Sequence, residues 1–355
     1  MIIRAIDIGY QVTKLATKKD GEQFKLMSFP SIAPLRNTSM DIGLLSGGLT
    51  GSRNTKIVNV DGMEYEVGVD AADLQTSDTV KALDANYVFT DTYKAIYLGA
   101  LSYLGEEEID LLVLGLPITN LRNAQKLKER SIGTFQLADG QQVVVKDVLV
   151  IAQPLGGLYA AFNTQNEKLK DMNEQYNLIV DPGSVTFDFL TTNGIIPVEN
   201  RSDAHHGGML KVLMAISNSI LDKYGKEFNN YSAIEKALLT KERKLKLPWN
   251  DEPEDLLEHI KNTRSVIESS VTAMKNKVGD GTEYDLHNII VVGGGASIYR
   301  KQIEQQYADY NVVVLDDVNI DGLNIDKSNY APIYANLIGY LIAGSVAAKR
   351  LISEL

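Results

Sequence analysis

Two stretches far apart in the chain carry the same order of residue types: Ala5-Ile6-Asp7-Ile8-Gly9-Tyr10-Gln11-Val12-Thr13-Lys14 and Ile179-Val180-Asp181-Pro182-Gly183-Ser184-Val185-Thr186-Phe187-Asp188. In each, an apolar strand ends on an acid, the chain turns at a glycine and a second strand begins. Glycine lets backbone N–H groups swing toward an anion, and a carboxylate beside it holds a cation bound to that anion. Two such hairpins facing one another predict a grip on a Mg-nucleotide.

The surrounding sequence supplies elements to hold both hairpins. Residues 2–7, 11–17 and 23–27 read as three short strands joined by turns, a meander. Tyr93, Ile96, Tyr97, Ala100, Leu101 and Leu104 recur at spacings of three and four, which predicts a helix over residues 90–104. Leu111–Leu116 is a continuous apolar run closed by Pro117, the pattern of a buried strand. Residues 142–151 are rich in Val but interrupted by Asp147, and they run into Gln153-Pro154-Leu155-Gly156, where strand gives way to helix.

The second half repeats this plan. Residues 178–180, 185–191 and 195–198 form another meander, and helices are predicted over Met209–Tyr224 and Tyr231–Leu239. Pro253 suits the first turn of a long helix carrying Leu256, Leu257, Ile260, Ile267, Val271, Met274 and Val278 and ended by Gly279. Residues 287–292 are then a buried strand leading into Gly293-Gly294-Gly295. The duplicated order predicts two related α/β domains with a cleft between them, one of residues 1–157 with 331–355 and one of 158–330.

Composition narrows the class. A chain of 355 residues, 44% apolar and 23% charged, is long enough for two domains and ordinary for a globular protein. The first residues lack the features of a secretory signal, and the uncharged run 330–348 contains Pro332, Asn336, Ser345 and two glycines. It reads as a buried helix rather than a membrane span, so a cytoplasmic protein is expected, without a membrane partner. The net charge of −11 repels phosphate backbones, so direct nucleic-acid binding is not expected. The absence of cysteine excludes disulfides, thiolate zinc sites and cysteine nucleophiles.

Other features invite chemistry and yield plainer readings. Residues 31–56 include Ser46-Gly47-Gly48-Leu49-Thr50-Gly51-Ser52 but lack the Gly-Lys-Ser/Thr ending of a phosphate loop, so a surface loop is expected. His205 and His206 have no third metal ligand at a suitable spacing, and Gly207-Gly208 after them reads as a turn and helix start. Trp249 suits a core, a lid or a subunit contact equally well.

With both hairpins, Gly293-Gly294-Gly295 and helices starting near Leu155 and Pro332 in this order, the whole chain resembles the actin and sugar-kinase ATPase superfamily. The hairpins resemble its phosphate motifs, the three glycines its adenosine motif and the two helices its connectors. Gln153 stands six residues before Tyr159 in a Gln-x-x-x-x-x-Tyr-Ala pattern like that of actins, and Lys14 follows Asp7 by seven. Leu112-Val113-Leu114-Gly115-Leu116-Pro117 and Gln153-Pro154-Leu155-Gly156 are similar to the ParM/StbA plasmid-segregation actins. The second hairpin departs from the family pattern: Val185 replaces a hydroxyl residue, and Pro182 removes one possible amide donor.

The resemblance implies an α/β fold of two related domains with mixed sheets flanked by helices, and a slow, Mg-dependent ATPase with ATP/ADP as its nucleotide. It implies Asp7 and Asp181 holding Mg²⁺ through water, Lys14 against the β-phosphate, and Gly9, Tyr10, Gln11, Gly183 and Ser184 presenting amides to phosphate. It further implies Gly293, Gly294 and Gly295 at the adenosine and Gln153 orienting the attacking water, with Asp181 accepting its proton. The implied partners are further copies of the chain in a head-to-tail filament and a DNA-binding adaptor protein. A small-molecule kinase of the same fold is the first rival and would recruit Asp188 or Asp203 as base. A nucleotide-gated, chaperone-like scaffold is the second, disfavoured because no substrate-binding region follows the last motif.

Overall fold

A computed structural model of the chain describes residues 1–18, 23–37, 53–74, 86–279, 286–316 and 323–353. The chain divides into two compact units, Met1–Gln165 with Asp316–Leu355, and Asn166–Leu315.

In the first unit, β1 (Ile3–Ile8), β2 (Val12–Thr17) and β3 (Phe24–Pro30) form the expected meander, each antiparallel to the next. A second hairpin, β4 (Thr55–Val60) with β5 (Met63–Gly68), pairs separately. Helix α1 (Asp91–Leu104) starts where Thr90 accepts a hydrogen bond from the Tyr93 amide, and its apolar stripe enters the core. Strand β6 (Leu111–Leu116) is buried along its whole length and lies parallel to both β1 and β7 (Val148–Ala152). The main sheet therefore runs β7-β6-β1-β2-β3, with the short strand Ile325–Asp326 at its far edge.

Helix α2 (Gln153–Phe162) follows β7 without a loop and packs on the C-terminal helix Ala335–Ser353. These two helices cross so closely that a Cβ on Gly339 would lie 1.7 Å from the Gly156 carbonyl oxygen. Glycine at the crossing is thus a steric requirement.

The second unit repeats the arrangement. Strands β8 (Tyr176–Pro182) and β9 (Phe187–Asn193) form the antiparallel hairpin, and β10 (Leu286–Val291) and β11 (Asn311–Val314) add parallel to β8. Helix α3 (Met209–Tyr224) contributes Leu213, Ile216 and Ile220 to the apolar core shared with this sheet. Trp249 packs edge-on against Tyr224 and Phe228 and is partly buried at the margin of the core.

The long helix expected from Pro253 to Gly279 is a different structure. Glu254–Asp255 forms a short strand paired with Lys244–Leu245, and Asp255 caps a one-turn helix α4 (Leu256–Ile260). A tighter, 3-10 turn, Lys261–Thr263, then joins it to α5 (Arg264–Val278), which Gly279 does end. Helix α6 (Ala296–Gln306) starts directly after the three glycines. Of the loop expected over residues 31–56, residues 38–52 lie outside the described residues.

Candidate functional site

The first half-site is built around Asp7, which sits near the end of β1 and is fully buried. A buried carboxylate requires compensation, and β2 provides it through register: Asp7 and Lys14 are paired across the hairpin, with Lys14 Nζ 2.6 Å from Asp7 Oδ2. The seven-residue spacing seen in the sequence is the length of this hairpin. The other carboxylate oxygen accepts from Gln153 Nε2 at 3.1 Å. Leu114 of β6 pairs with both Ile6 and Val150, so the ends of β1 and β7 flank the same strand. Gln153, the first residue of α2, is thereby brought to Asp7, 146 positions away.

The turn itself is specific in which amides it uses. The Gly9 N–H closes the turn onto the Val12 carbonyl at 3.2 Å, and a Cβ on Gly9 would come within 2.8 Å of that oxygen. The Tyr10 ring stacks on Tyr87 with centroids 5.2 Å apart. Among the described residues no acceptor takes the Gln11 amide, and Gln11 Oε1 is buried without a donor. The turn thus offers one N–H and one orphaned acceptor.

The second half-site has the same backbone and different chemistry. Asp181 is paired in register with Asp188, the counterpart of the Asp7 and Lys14 pair at the same spacing. Both acids are almost fully buried, at 5% and 1% exposure. Carboxylates directly opposite one another on a sheet repel unless a proton or a cation lies between them. The Gly183 amide bonds back to the Asp181 carbonyl at 2.9 Å, and no acceptor among the described residues takes the Ser184 amide. The carbonyls of Gly183 and Ser184 receive the first amides of α3, from Met209 and Leu210. Gly208 lies so close that a Cβ there would be 2.5 Å from the Gly183 oxygen, so the glycine pair after the histidines is the seat of this turn.

The three glycines lie against the same turn. Gly293 has φ +82, and a Cβ there would stand 2.0 Å from Asp181 Oδ1. The Gly295 amide donates to the Pro182 carbonyl at 2.9 Å, so Pro182 serves this packing as an acceptor. Gly294 between them is half-buried.

From Gly295 the chain enters α6, whose outer face and the α4–α5 corner line a groove of about 280 Å³. Ile260, Ile267 and Ile298 provide apolar walls, with Lys261, Arg264 and Lys301 around them. Apolar walls with a few polar groups suit a flat heterocycle attached to an anionic tail. Sequence reading placed the glycines but missed this groove, because its α5 wall depends on the break at residues 261–263. It also considered Asp188 only for a rival kinase, although the matched spacing of Asp7 to Lys14 and Asp181 to Asp188 was available to it.

Among the described residues, no three His, Asp or Glu side chains gather as a direct metal site. His205 is stacked on Phe187 instead, and burial lowers its pKa first among several causes. Among them, too, no helix is long and apolar enough to cross a membrane. In the first unit the orphaned Gln11 Oε1 is suited to accept from water bound to a cation.

Comparison with known proteins supports the architecture. A model of the N-terminal domain of actin-like proteins matches residues 5–156, and one of the C-terminal domain of archaeal, MreB-like actin homologues matches residues 179–305. No curated protein sequence matches the chain. Among solved structures, the archaeal actin homologue Ta0583 is similar at 18% identity with a TM-score of 0.71, covering 99% of this chain and 100% of that one. The psk41 ParM protein is 20% identical with a TM-score of 0.62 and 98% coverage of both chains. A subunit of a 15-stranded ParM filament from Clostridium botulinum is 19% identical with a TM-score of 0.67, covering 98% and 100%. The chain has the two-domain α/β actin-ATPase fold, its first part matching the N-terminal domain of actin-like proteins and its second the C-terminal domain of archaeal actin homologues.

Proposed function

We propose that this protein binds Mg-ATP with both half-sites, hydrolyses it slowly, and assembles head to tail into filaments that weaken once ATP is spent. The observation that carries this reading is the matched pair of hairpins, one neutralising its acid with Lys14 and the other opposing two acids. Phosphoryl transfer to water asks for charge neutralisation and an aligned nucleophile more than for covalent chemistry. Lys14 sets a positive charge at the first hairpin, and the Gln11 and Ser184 amides present donors to phosphate oxygens. Gln153, a neutral amide already oriented by Asp7, positions the attacking water; it is a poor base, which keeps turnover slow. Asp181 accepts the proton from that water, and the groove beside Ile298 and Arg264 takes the base.

Mg²⁺, when bound, screens the phosphate charges. Asp7 and Asp181 would hold it through its waters, since this ion dehydrates reluctantly.

Similarity to ADP-bound Ta0583 and to ParM and Alp12 filament subunits supports nucleotide binding and self-assembly. A heterologous contact that does not close gives an open filament. The role assigned to such a filament is segregation of plasmid or other DNA inside the cell, reached through an adaptor because the chain itself is acidic.

Sedimentation and light scattering with Mg-ATP, Mg-ADP and no nucleotide, beside Asp181→Ala, test the reading. Assembly only with Mg-ATP, prolonged in the variant, is expected. A monodisperse protein whose hydrolysis rises with an added sugar or carboxylic acid would establish a kinase instead, and no calorimetric heat with a non-hydrolysable analogue would end the nucleotide reading.

A further inference from the structure

The groove owes its shape to a polar latch on the opposite side of the same short segment. His259 is 2% exposed and makes two hydrogen bonds: Nδ1 with Ser219 Oγ on α3 and Nε2 with Glu254 Oε1, both at 2.8 Å. Asn262 Nδ2 donates to the same Ser219 oxygen at 2.7 Å. Glu254 also receives Lys223 Nζ at 2.7 Å and the Tyr224 hydroxyl. The Glu254 carboxylate only accepts, so His259 donates from Nε2. The Ser219 hydroxyl accepts from Asn262 and shares a hydrogen bond with His259 Nδ1. Every member of the latch has a hydrogen-bond partner.

The alternation along the chain gives this latch a consequence. His259 and Asn262 point into the latch, while Ile260, Lys261, Thr263 and Arg264 line the groove. The helix breaks between them, in the turn Lys261–Thr263, where the Thr263 hydroxyl bonds the Ile260 carbonyl at 2.7 Å. Without an anchor at 259 and 262, the apolar spacing that runs on through Ile267, Val271 and Met274 favours a continuous helix. Such a helix would rotate Lys261 and Arg264 relative to Ile298.

We infer that His259, with Ser219 and Asn262, is a positioning residue that sets the α4–α5 corner for the heterocyclic base of the bound nucleotide. It acts on the base alone, since neither hairpin contains a latch residue. This inference rests on the nucleotide reading above.

The test compares binding of Mg-ATP with that of Mg-tripolyphosphate, which has no base, to the full chain and to Ser219→Ala and His259→Gln. The wild type should bind Mg-ATP more tightly than tripolyphosphate. In both variants the Kd for Mg-ATP should rise about fivefold to tenfold, with tripolyphosphate binding and kcat unchanged. Ser219→Ala removes one oxygen, so it keeps the test open should His259→Gln fail to fold. Equal loss for both ligands, or unchanged Mg-ATP affinity with faster amide exchange across residues 261–264, overturns the positioning role. A wild type that binds neither ligand overturns the nucleotide reading itself, and one that binds both equally removes the base from the groove.

Discussion

Replacing Lys14 with methionine tests the first half-site most directly. Asp7 is fully buried and its Oδ2 lies 2.6 Å from Lys14 Nζ, whose side chain is only 12% exposed. Lys14→Met preserves much of the packing but leaves a carboxylate in the core with only the Gln153 amide as partner. Removing one member of a buried pair costs about 3–5 kcal/mol, mostly the penalty of the charge left behind. For a unit of roughly 200 residues, each kcal/mol moves Tm by about 2–4 °C, so a fall of roughly 6–20 °C is expected. Asp7→Asn removes that charge. In the double variant neither position carries an uncompensated ion, so the loss should be smaller than the sum of the two single losses by about 2 kcal/mol or more. Thermal melts of the four proteins without nucleotide complete the cycle. Additive losses within about 0.5 kcal/mol would refute the view that Lys14 is held in place by Asp7 before any phosphate arrives.

Gln153→Ala should slow phosphate release at least about tenfold, the scale of losing one positioning group, and an unchanged rate would remove Gln153 from the mechanism. Burial pushes the Glu254 carboxyl up, but hydrogen bonds from Lys223, Tyr224 and His259 outweigh it and bring its pKa down to about 2 from 4.5. A depressed native pKa contributes stability that is present above pH 4.5 and is lost as pH falls through about 2, roughly 3 kcal/mol in total. Urea titrations between pH 5 and 2 should show this slope in the wild type and much less of it in Glu254→Gln.

Much of the architecture was legible because its signals are local. Leu111–Leu116 is uniformly apolar and lies buried between two parallel strands. Met209–Tyr224 is bounded by glycines and forms the helix that its pattern predicts. The corner at residues 261–263 was not legible, because the apolar spacing continues through it. What interrupts the helix is a set of hydrogen bonds to Ser219 and Glu254, and Ser219 lies 40 positions away from His259. The steric need for Gly156 and Gly339 was hidden for the same reason: only the crossing of two helices distant in sequence reveals it.

The two hairpins share a backbone, and their difference at one register position divides the work between them. Lys14 opposite Asp7 compensates the buried acid, so the first hairpin folds with its ion pair complete. Asp188 opposite Asp181 sets two buried acids in register where the first hairpin sets an acid and a lysine, so the same backbone carries a different charge at its open end.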